Sequence, residues 1–494
     1  MNKGKLIILG FDGMDYDLTR ELIEQGEMPN LKRLSTEGQF APLQSVLPPD
    51  SIPAWITAFT GLDPSEHGIL DHVNYLLPDS DKKSIDTTVF HEKTFWDRIA
   101  ADTGKSVCVI NPFMAYPVWP VKGVMVSGPV FIEGEIQSSA PELTKDIPIP
   151  DSIGGITNLP KKSEIEDFLE HTLQDTREQA AYGMKMLEST DPGLFFQTFL
   201  TSDRIQHHLW RYCDKTDPTY PGRNPVENGI TEFFQLVDKI VGDFMATLSP
   251  EDTLLIMSDH GHGIRCTHTF NINEFFRRKG YVKSTAGNQK LNKNIIIEKL
   301  KNRVLRFMND HDLEDYISTI AKLVPNAKEM KKGSHITSHG NSMAYATDFA
   351  GTNPFGGIRI NREKVKDYTA FRRKLMDELA DVTHEGEKIF RWLKIREDIY
   401  SGSHIDRYPD ILYEMPPRLG TGFSNHCDLV TVNPTHKKIS GGHKANGVFF
   451  INHPEHWVVN KSDCKVSNIY ASLLSIFGIN VTNNNSRSFI CTKN

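Results

Sequence analysis

Carboxylate and imidazole side chains follow several apolar runs of this sequence, and one more imidazole lies on a glycine-flanked loop near its end. Asp and His together are ligands that suit Zn²⁺ or Mn²⁺. If Asp203 opens a helical turn, the four-residue spacing places it and His207 on one face, as a chelating pair. The sequence therefore predicts a divalent metal site, whose candidate ligands are Asp12, Asp203, His207, Asp259, His260 and His443.

Ser51 is the candidate nucleophile beside these ligands. It follows a Pro-rich loop and precedes a helix-compatible run in which Pro53 fits the first turn. First-turn N–H groups lack intrahelical partners and the helix dipole favours an anion, so a phosphate would bind well there. Serine is also a common N-cap, and residues 47–61 taken alone favour that simpler interpretation.

Each candidate ligand also has an ordinary structural interpretation. A single Asp or His at a strand end is more often a helix cap or a satisfied polar group. The Asp-His-Gly at 259–261 is compatible with a turn, and Asp203 with His207 is compatible with a solvated helix pair. The joint pattern is harder to obtain by chance, because independent strand ends would have to deliver ligands to one edge of a sheet.

Short apolar runs alternate with helical patterns along most of the chain. This alternation predicts an α/β protein, a three-layer α/β/α sandwich with a mostly parallel central sheet covered on both faces. Residues 113–160 are rich in Pro and Gly, and we expect an irregular pocket wall there. The predicted strands are 5–11, 106–110, 194–200, 253–257, 409–413 and 448–451, and the predicted helices are 18–38 (interrupted at Gly26 and Pro29), 51–60, 94–101, 163–188, 227–248, 365–379 and 466–477.

The length of 494 residues exceeds the size at which single cores usually stop growing. We predict a catalytic core formed by residues 1–280 and 401–482, with residues 281–400 as an insertion or cap. The Lys-rich helical segments of that insertion either attract an anionic substrate or form a solvated helix face. Residues 483–494, with their Asn run, are expected to be a flexible tail.

The bulk composition excludes several classes of protein. With 38% hydrophobic residues, 24% charged residues and a net charge of −7, the chain gives no reason to expect a nucleic-acid polymer as partner. The apolar run near the N-terminus is too short for a secretory signal, and no window approaches the length of a membrane span. Six well-separated cysteines without CxxC spacing fit a reducing compartment, so a cytoplasmic protein that does not bind membranes is expected.

The order of these motifs resembles the alkaline phosphatase superfamily, and most closely its type I phosphodiesterase/nucleotide pyrophosphatase family. Residues 116–128 are similar to the proline-rich pocket segment of that branch, and residues 270–275 to the segment after its Asp-His-Gly. The motifs that carry the resemblance are Gly10-Phe-Asp-Gly13, Ser51-Ile-Pro-Ala-Trp55 with Thr60-Gly61 and His67-Gly68, Asp203-Arg-Ile-Gln-His207, Ser258-Asp-His-Gly261 and Ser440-Gly-Gly-His443.

The resemblance implies a site with two divalent metal ions, zinc or manganese, about 4 Å apart. It assigns Asp203, His207 and His443 to one metal. It assigns Asp12, Asp259 and His260 to the other, which also contacts the nucleophile, and it aligns Ser51 with the nucleophilic Thr or Ser. The implied reaction is hydrolysis of a phosphodiester or pyrophosphate bond in a small organic or nucleotide-type substrate, through a phosphoseryl intermediate.

The sequence departs from the family pattern three residues after the nucleophile. The nucleotide pyrophosphatases typically carry an Asn there that holds a phosphate oxygen, whereas this chain has Ala54. Backbone N–H groups, the metals or another residue must then hold that oxygen, and each candidate residue also has an ordinary structural interpretation. The candidates for phosphate contact are Asn111, His262 and His268, and the candidates for lining an organic-group pocket are Trp55 and Tyr116.

Two alternative functions share the same residues. A phosphomonoesterase or phosphotransferase would use the same metal ligands with a different outer pocket. The second alternative is a catalytically silent, metal-loaded binding protein. Such a protein would not need a nucleophile, yet this chain has one together with six residues of types that bind divalent metals. A sulfatase is disfavoured, because Ser51-Ile-Pro-Ala-Trp55 lacks the Arg of the formylglycine motif.

Overall fold

The computed structural model describes residues 4–69, 90–130, 133–155, 160–283, 296, 299–300, 303–316, 337–347, 349, 353–453, 455–481 and 486–492. The chain divides into two compact units. The first comprises Met1–Cys213, Gly222–Gly263 and His443–Asn494. The second comprises Asp214–Pro221 and Ile264–Gly442.

Strands and helices alternate through the first unit, whereas strands dominate the second. The strands are β1 Leu6–Phe11, β2 Gln39–Gln44, β3 Val107–Ile110, β4 Gly123–Ser127, β5 Gln137–Ser138, β6 Leu194–Phe199, β7 Thr253–Met257, β8 Gly261–Ile264, β9 His268–Asn271, β10 Ala344–Thr347, β11 Phe355–Ile360, β12 Thr383–His384, β13 Glu387–Lys388, β14 Trp392–Ile395, β15 Ile411–Glu414, β16 Leu419–Gly422, β17 Val430–Val432, β18 Gly441–Lys444, β19 Asn446–Ile451, β20 Trp457–Val459 and β21 Ile490–Thr492. The helices are α1 Tyr16–Gln25, α2 Pro29–Glu37, α3 Ser51–Thr60, α4 Pro64–His67, α5 Phe95–Thr103, α6 Pro141–Thr144, α7 Ile165–Thr190, α8 Thr201–Cys213, α9 Gly229–Ala246, α10 Ile272–Arg278, α11 Tyr368–Ala380 and α12 Ile469–Ile476.

An eight-stranded sheet forms the centre of the first unit, in the order β2-β19-β7-β1-β6-β3-β4-β5. Five consecutive strands of this sheet, β7, β1, β6, β3 and β4, are parallel to one another. Strand β19 pairs antiparallel with β7 and β2 at one side, and β5 pairs antiparallel with β4 at the other. The predicted mostly parallel sheet is confirmed.

Two hydrophobic clusters cover the two faces of this sheet. In β1, Leu6 and Ile8 belong to one cluster, while Ile7, Leu9 and Phe11 belong to the other, because successive side chains point to opposite faces. Helices α3, α5 and α12 contribute to the hydrophobic cluster that contains Leu6 and Ile8. Helices α1, α2, α7, α8 and α9 contribute to the hydrophobic cluster on the opposite face. The first unit is therefore a three-layer α/β/α sandwich, as the sequence predicts.

Strand β4 is a correction to the sequence prediction, which expects only irregular chain between residues 113 and 160. Val124, Met125 and Val126 are fully buried, and β4 pairs in parallel with β3. The apolar run is short and lies between Pro- and Gly-rich segments, so local pattern alone does not distinguish it from a loop.

The second unit has its own sheets and its own core. Strands β10, β11, β15 and β14 form an antiparallel sheet, while β16, β9 and β17 form another. Its core includes Phe270, Ile358, Leu375, Ile411 and Tyr413. The predicted insertion at 281–400 lies within this unit, which also takes in residues 264–280 and 401–442. Most of the Lys-rich segments lie outside the described residues, and a cap role for them stays a prediction.

Residues 486–492 differ from the flexible tail that the sequence predicts. Strand β21 pairs antiparallel with β20, and Phe489 and Ile490 are buried in the first unit. Burial of this apolar pair accounts for the order of the segment. The remaining positions of the predicted tail lie outside the described residues.

In the part of the chain that the structure describes, no helix is both long enough and apolar enough to cross a membrane. All six cysteines are free thiols, and three of them, Cys108, Cys266 and Cys464, are buried. The cytoplasmic location stays a prediction.

Candidate active site

The six predicted metal ligands lie together in the first unit. Asp12 follows β1, Asp203 lies in the first turn of α8 directly after β6, and Asp259 and His260 follow β7. His443 lies on β18, which forms a two-stranded sheet with β8. The carboxyl ends of β1, β6 and β7 meet at one edge because these strands are parallel neighbours.

Hydrogen bonds between the strand-end loops fix their relative positions. Ser202 Oγ donates to the carbonyl of Asp12 (2.6 Å), and Gln206 Nε2 donates to the carbonyl of Gly13 (2.8 Å). The amide of Met14 donates to Ser258 Oγ (2.8 Å). These polar residues are not among the candidate site residues that the sequence suggests, since serine and glutamine by type alone do not indicate such hydrogen bonds.

Four residues form what we call the first cluster: Asp203, His207, His262 and His443. Asp203 Oδ2 lies 3.2 Å from His207 Nε2, and Asp203 Oδ1 lies 3.2 Å from His262 Nδ1 and 3.5 Å from His443 Nε2. The Nε2 atoms of His207 and His443 lie 3.0 Å apart. One potential ligand atom from each residue lies within 4.8 Å of the others, so the four converge on a common volume.

Ser51, Asp12, Asp259 and His260 form what we call the second cluster. Ser51 Oγ lies 3.0 Å from Asp12 Oδ1 and 3.0 Å from His260 Nε2. His260 Nε2 also lies 3.5 Å from Asp12 Oδ1 and 3.4 Å from Asp259 Oδ2. Asp203 is close enough to group with Asp12 and His260, so its carboxylate faces both clusters.

The orientation of the imidazoles and the buried carboxylate oxygens fit bound cations. His260 Nδ1 donates to the carbonyl of Gly261 (2.9 Å), and His443 Nδ1 donates to the carbonyl of Pro49 (2.9 Å). These bonds assign the tautomer that leaves Nε2 facing the cluster as an acceptor, the usual arrangement of metal-binding histidines. Among the described residues, the buried oxygens Asp203 Oδ1 and Asp259 Oδ2 have only imidazole nitrogens beside them, at 3.2 to 3.5 Å, and none of these contacts has good hydrogen-bond geometry. A divalent cation would satisfy both oxygens.

The pKa values show the repulsion that such cations would relieve. Burial raises the pKa of Asp12 well above its usual range, and the nearby carboxylates of Asp259 and Asp203 raise it further. Burial likewise raises the pKa of Asp259. Burial opposes ionisation of Asp203 as well, but the facing imidazoles, His207 above all, hold its pKa well below the usual value.

The pKa values of the buried imidazoles shift in different directions. Burial lowers the pKa of His260 well below its usual value and that of His262 to about 3. Burial also disfavours protonated His443, but its contact with the Asp203 carboxylate outweighs this and raises the pKa of His443 to about 9.

We expect zinc binding to release protons and to tighten as the pH rises. In the metal-free protein, His443 retains its proton at neutral pH because its pKa is about 9, and Asp12 and Asp259 retain theirs to a higher pH than ordinary carboxyl groups do. Zinc must displace those protons, so affinity increases with pH until it passes about 9, the pKa of His443. Calorimetric titration in buffers of different ionisation enthalpy measures the release, and a pH-independent affinity without proton release would contradict the expectation.

Ser51 is the first residue of α3, and Asp50 is the N-cap. The Asp50 carboxylate accepts a hydrogen bond from the amide of Ile52 (3.2 Å), which is the role that the simpler interpretation gives to Ser51. Since Asp50 caps the helix, the Ser51 hydroxyl is left to contact Asp12 and His260.

Trp55 lies beneath the second cluster. It is fully buried, and its Nε1 donates to Asp12 Oδ2 (3.0 Å). A Cβ atom at Gly10 would approach the Trp55 ring to 2.7 Å, so the glycine makes room for the indole. Trp55 therefore orients the Asp12 carboxylate, which differs from the pocket-lining role suggested by the sequence.

The remaining predicted contacts lie in different surroundings. Asn111 has both amide atoms bonded to backbone, since Nδ2 donates to Thr198 and Oδ1 accepts from Gly154. Tyr116 accepts a hydrogen bond from Gln137 Nε2 (3.3 Å). His268 is exposed on β9 in the second unit. Asn111 thus has a structural role here, whereas substrate contacts by Tyr116 and His268 stay predictions.

Gly13 provides a sharp test of the site geometry. Its φ is +67°, and a Cβ atom there would lie 2.9 Å from Asp203 Oδ1. We expect Gly13→Ala to cost about 1 to 2 kcal/mol of stability through backbone strain and to weaken zinc binding about 10- to 100-fold by displacing Asp203.

Gly26→Ala is the matched control for this substitution. Gly26 has φ +87°, but a Cβ atom there would meet no atom within 4 Å. Thermal unfolding and zinc titration of the two variants separate strain from crowding: both are destabilised, and Gly13→Ala alone loses zinc affinity. Equal zinc affinity in the two variants would refute the crowding argument.

Comparisons with known proteins agree with this arrangement. The model of the type I phosphodiesterase/nucleotide pyrophosphatase family matches residues 6–443. No curated protein matches the sequence. The chain is similar in structure to phosphonoacetate hydrolase from Sinorhizobium meliloti 1021 in complex with phosphonoacetate, with a TM-score of 0.55, 14% identity and 96% of each chain covered. The same protein in complex with phosphonoformate gives a TM-score of 0.51 at 14% identity, again covering 96% of each chain. These structures share the fold of the chain.

Proposed function

The chain belongs to the type I phosphodiesterase/nucleotide pyrophosphatase family of the alkaline phosphatase superfamily and is a phosphoric ester hydrolase, and on this premise we propose its substrate class and mechanism. The proposed reaction is hydrolysis of a phosphodiester or pyrophosphate bond in a small organic or nucleotide-type substrate. The proposed route uses two divalent metal ions, zinc or manganese, and a phosphoseryl intermediate on Ser51. The observation that carries the proposal is the position of Ser51 Oγ, 3.0 Å from both Asp12 Oδ1 and His260 Nε2.

The two clusters provide the residues that would hold the metals. Asp203, His207 and His443 would hold one, and Asp12, Asp259 and His260 would hold the other. Bound there, divalent cations would favour the ionised form of the Ser51 hydroxyl and stabilise charge on the phosphoryl and leaving oxygens. The convergence of carboxylate oxygens and imidazole nitrogens in each cluster supports this assignment.

Ser51 performs the covalent step. Its contacts with Asp12 and His260 fix the direction of Oγ, and the buried Trp55 holds the Asp12 carboxylate in place. In the first half-reaction, the Ser51 hydroxyl gives up its proton, Oγ forms a bond to phosphorus, and the bond to the leaving oxygen breaks, so the leaving group departs and takes up a proton. In the second, a water oxygen loses a proton and bonds to phosphorus, the bond from Oγ to phosphorus breaks, inorganic or esterified phosphate leaves, and Oγ takes up a proton again.

Ala54 narrows the choice of substrate contacts. It is fully buried and has no polar side-chain atom, so position 54 does not hold a phosphate oxygen. This departure from the nucleotide pyrophosphatases argues for backbone amides or the cations as the oxyanion partners. The identity of the leaving group is therefore not specified further than a small phosphate ester.

A cytoplasmic location is also part of the proposal. The six cysteines, none of which forms a disulfide, support it.

A substrate panel tests the proposal. The metal-loaded enzyme is assayed with bis-p-nitrophenyl phosphate, p-nitrophenyl phosphate and a series of nucleotides, before and after chelation. We expect faster cleavage of the diester than of the monoester, loss of activity with chelator, and recovery with Zn²⁺ or Mn²⁺. Preference for the monoester would instead identify a phosphomonoesterase, and chelator-resistant hydrolysis would contradict the two-metal mechanism.

A further inference from the structure

His262 lies in the first cluster, and the protein alone satisfies its ring nitrogens only in part. It is on β8, two residues after His260, and its side chain is fully buried. Among the described residues, Nε2 has no hydrogen-bond partner, and Nδ1 has only Asp203 Oδ1 beside it, at 3.2 Å. Buried imidazole nitrogens are nearly always paired, so this side chain lacks the full set of partners that such a ring normally has.

The distances within the first cluster, including the one from His262 to Asp203, are those of ligands around one small cation. A zinc ion bound tetrahedrally at about 2.0 to 2.1 Å holds its ligand atoms about 3.3 Å apart. The contacts of Asp203 Oδ1 with His262 Nδ1 (3.2 Å) and with His443 Nε2 (3.5 Å) agree with this spacing. So do the contacts of His207 Nε2 with Asp203 Oδ2 (3.2 Å) and with His443 Nε2 (3.0 Å).

Two other roles fit the observations less well. A residue that only filled space would be better served by an apolar side chain, since it is costly to bury an imidazole whose Nε2 has no hydrogen-bond partner. A phosphate contact is disfavoured because His262 Nδ1 faces the carboxylate of Asp203, which would repel a phosphate.

We propose that His262 is a fourth protein ligand of the first cluster, which thereby becomes a site with one aspartate and three histidines. The proposal rests on the metal dependence contained in the proposed function. It adds a ligand to the Asp203, His207 and His443 set and removes His262 from the candidates for phosphate contact.

The added imidazole makes the two clusters chemically unequal. The first then offers three imidazoles and one carboxylate, while the second offers two carboxylates, one imidazole and the Ser51 hydroxyl. Nitrogen-rich sites favour zinc or cobalt, whereas carboxylate-rich sites accept manganese more readily. The first equivalent of zinc should therefore occupy the first cluster.

Zinc-edge X-ray absorption tests the ligand count directly. In a chain carrying Asp12→Asn and Asp259→Asn, the second cluster is weakened, and one equivalent of Zn²⁺ is expected in the first. We expect three imidazoles per zinc, and a count of two would overturn the proposal. The readout uses no substrate, so a protein that bound zinc through three imidazoles but hydrolysed no ester would refute the proposed function and leave this inference standing.

A substitution pair gives an independent measurement. His262→Phe keeps a ring of similar size but removes the nitrogens, and His208→Phe on α8 is the control, since the His208 ring packs near Phe168 (5.2 Å). In competition with a chromophoric chelator, we expect His262→Phe to weaken binding of the first zinc at least about tenfold and His208→Phe to leave it unchanged. Unchanged affinity in His262→Phe, with an unaltered circular dichroism spectrum, would overturn the proposal. If His262→Phe fails to fold, the X-ray absorption experiment, in which the chain retains His262, tests the proposal by itself.

Discussion

Replacing Ser51 with alanine is expected to lower the rate of phosphate ester hydrolysis by at least about a thousandfold. The substitution removes the Oγ atom that lies between Asp12 and His260, and with it the proposed attacking group. It should not disrupt the helix, because Asp50 rather than Ser51 caps α3. The rate is measured with a chromogenic diester at saturating zinc.

Metal content distinguishes loss of the nucleophile from loss of the site. Zinc bound per chain should stay near that of the unsubstituted protein, since carboxylates and imidazoles supply the main ligands. Ser51→Thr should retain part of the activity, because it restores a hydroxyl. Ser35→Ala, on the exposed side of α2, serves as the control. Hydrolysis by Ser51→Ala at an undiminished rate would disprove the nucleophile assignment.

Asp203→Asn is expected to weaken zinc binding at least about a hundredfold and to abolish hydrolysis at moderate zinc concentrations. The Asp203 carboxylate lies 3.2 Å from both His207 and His262 and 3.5 Å from His443, and it also groups with Asp12 and His260. The amide removes the negative charge that both clusters share. Asp243→Asn, in a surface ion pair with Lys239, is the control and should change neither property.

The metal-free form of the same variant gives a second readout. The pKa of His443 is about 9 because the Asp203 carboxylate favours its protonated form. Without that charge the pKa should fall, and a proton NMR titration of the histidine ring measures the change. A His443 pKa that did not fall, together with normal zinc affinity, would show that Asp203 does not organise the site.

Much of the site is predictable from residue types at strand ends. Asp12, Asp203 and Asp259 each follow an apolar run, and parallel strands bring their carboxyl ends to one edge. The order of the runs and their motifs identifies the superfamily, and the structure places all these carboxylates within the first unit. The convergence of these carboxylates can be predicted because it depends on the topology of the sheet alone, whereas their role as metal ligands stays a prediction.

The parts that the sequence does not predict depend on the direction of side chains across the fold. Trp55 faces Asp12 because Gly10, far away in the chain, leaves room for its ring. His262 Nδ1 lies 3.2 Å from Asp203 Oδ1 although the two residues are far apart in the chain, and no local pattern encodes that neighbour. Likewise, Asp50 and Ser51 are both suitable N-caps by type, and only their contacts distinguish the cap from the nucleophile.

The position of β19 constrains how the protein is made. This strand lies between β2 and β7 inside the sheet, yet it comes from residues 446–451, and His443 directly precedes it. From the synthesis of residue 257 until that of residue 446, β7 has an open edge and the first cluster lacks His443, so the nascent chain has an exposed pairing surface. The first cluster is therefore complete only after the last strand of this sheet has been synthesised.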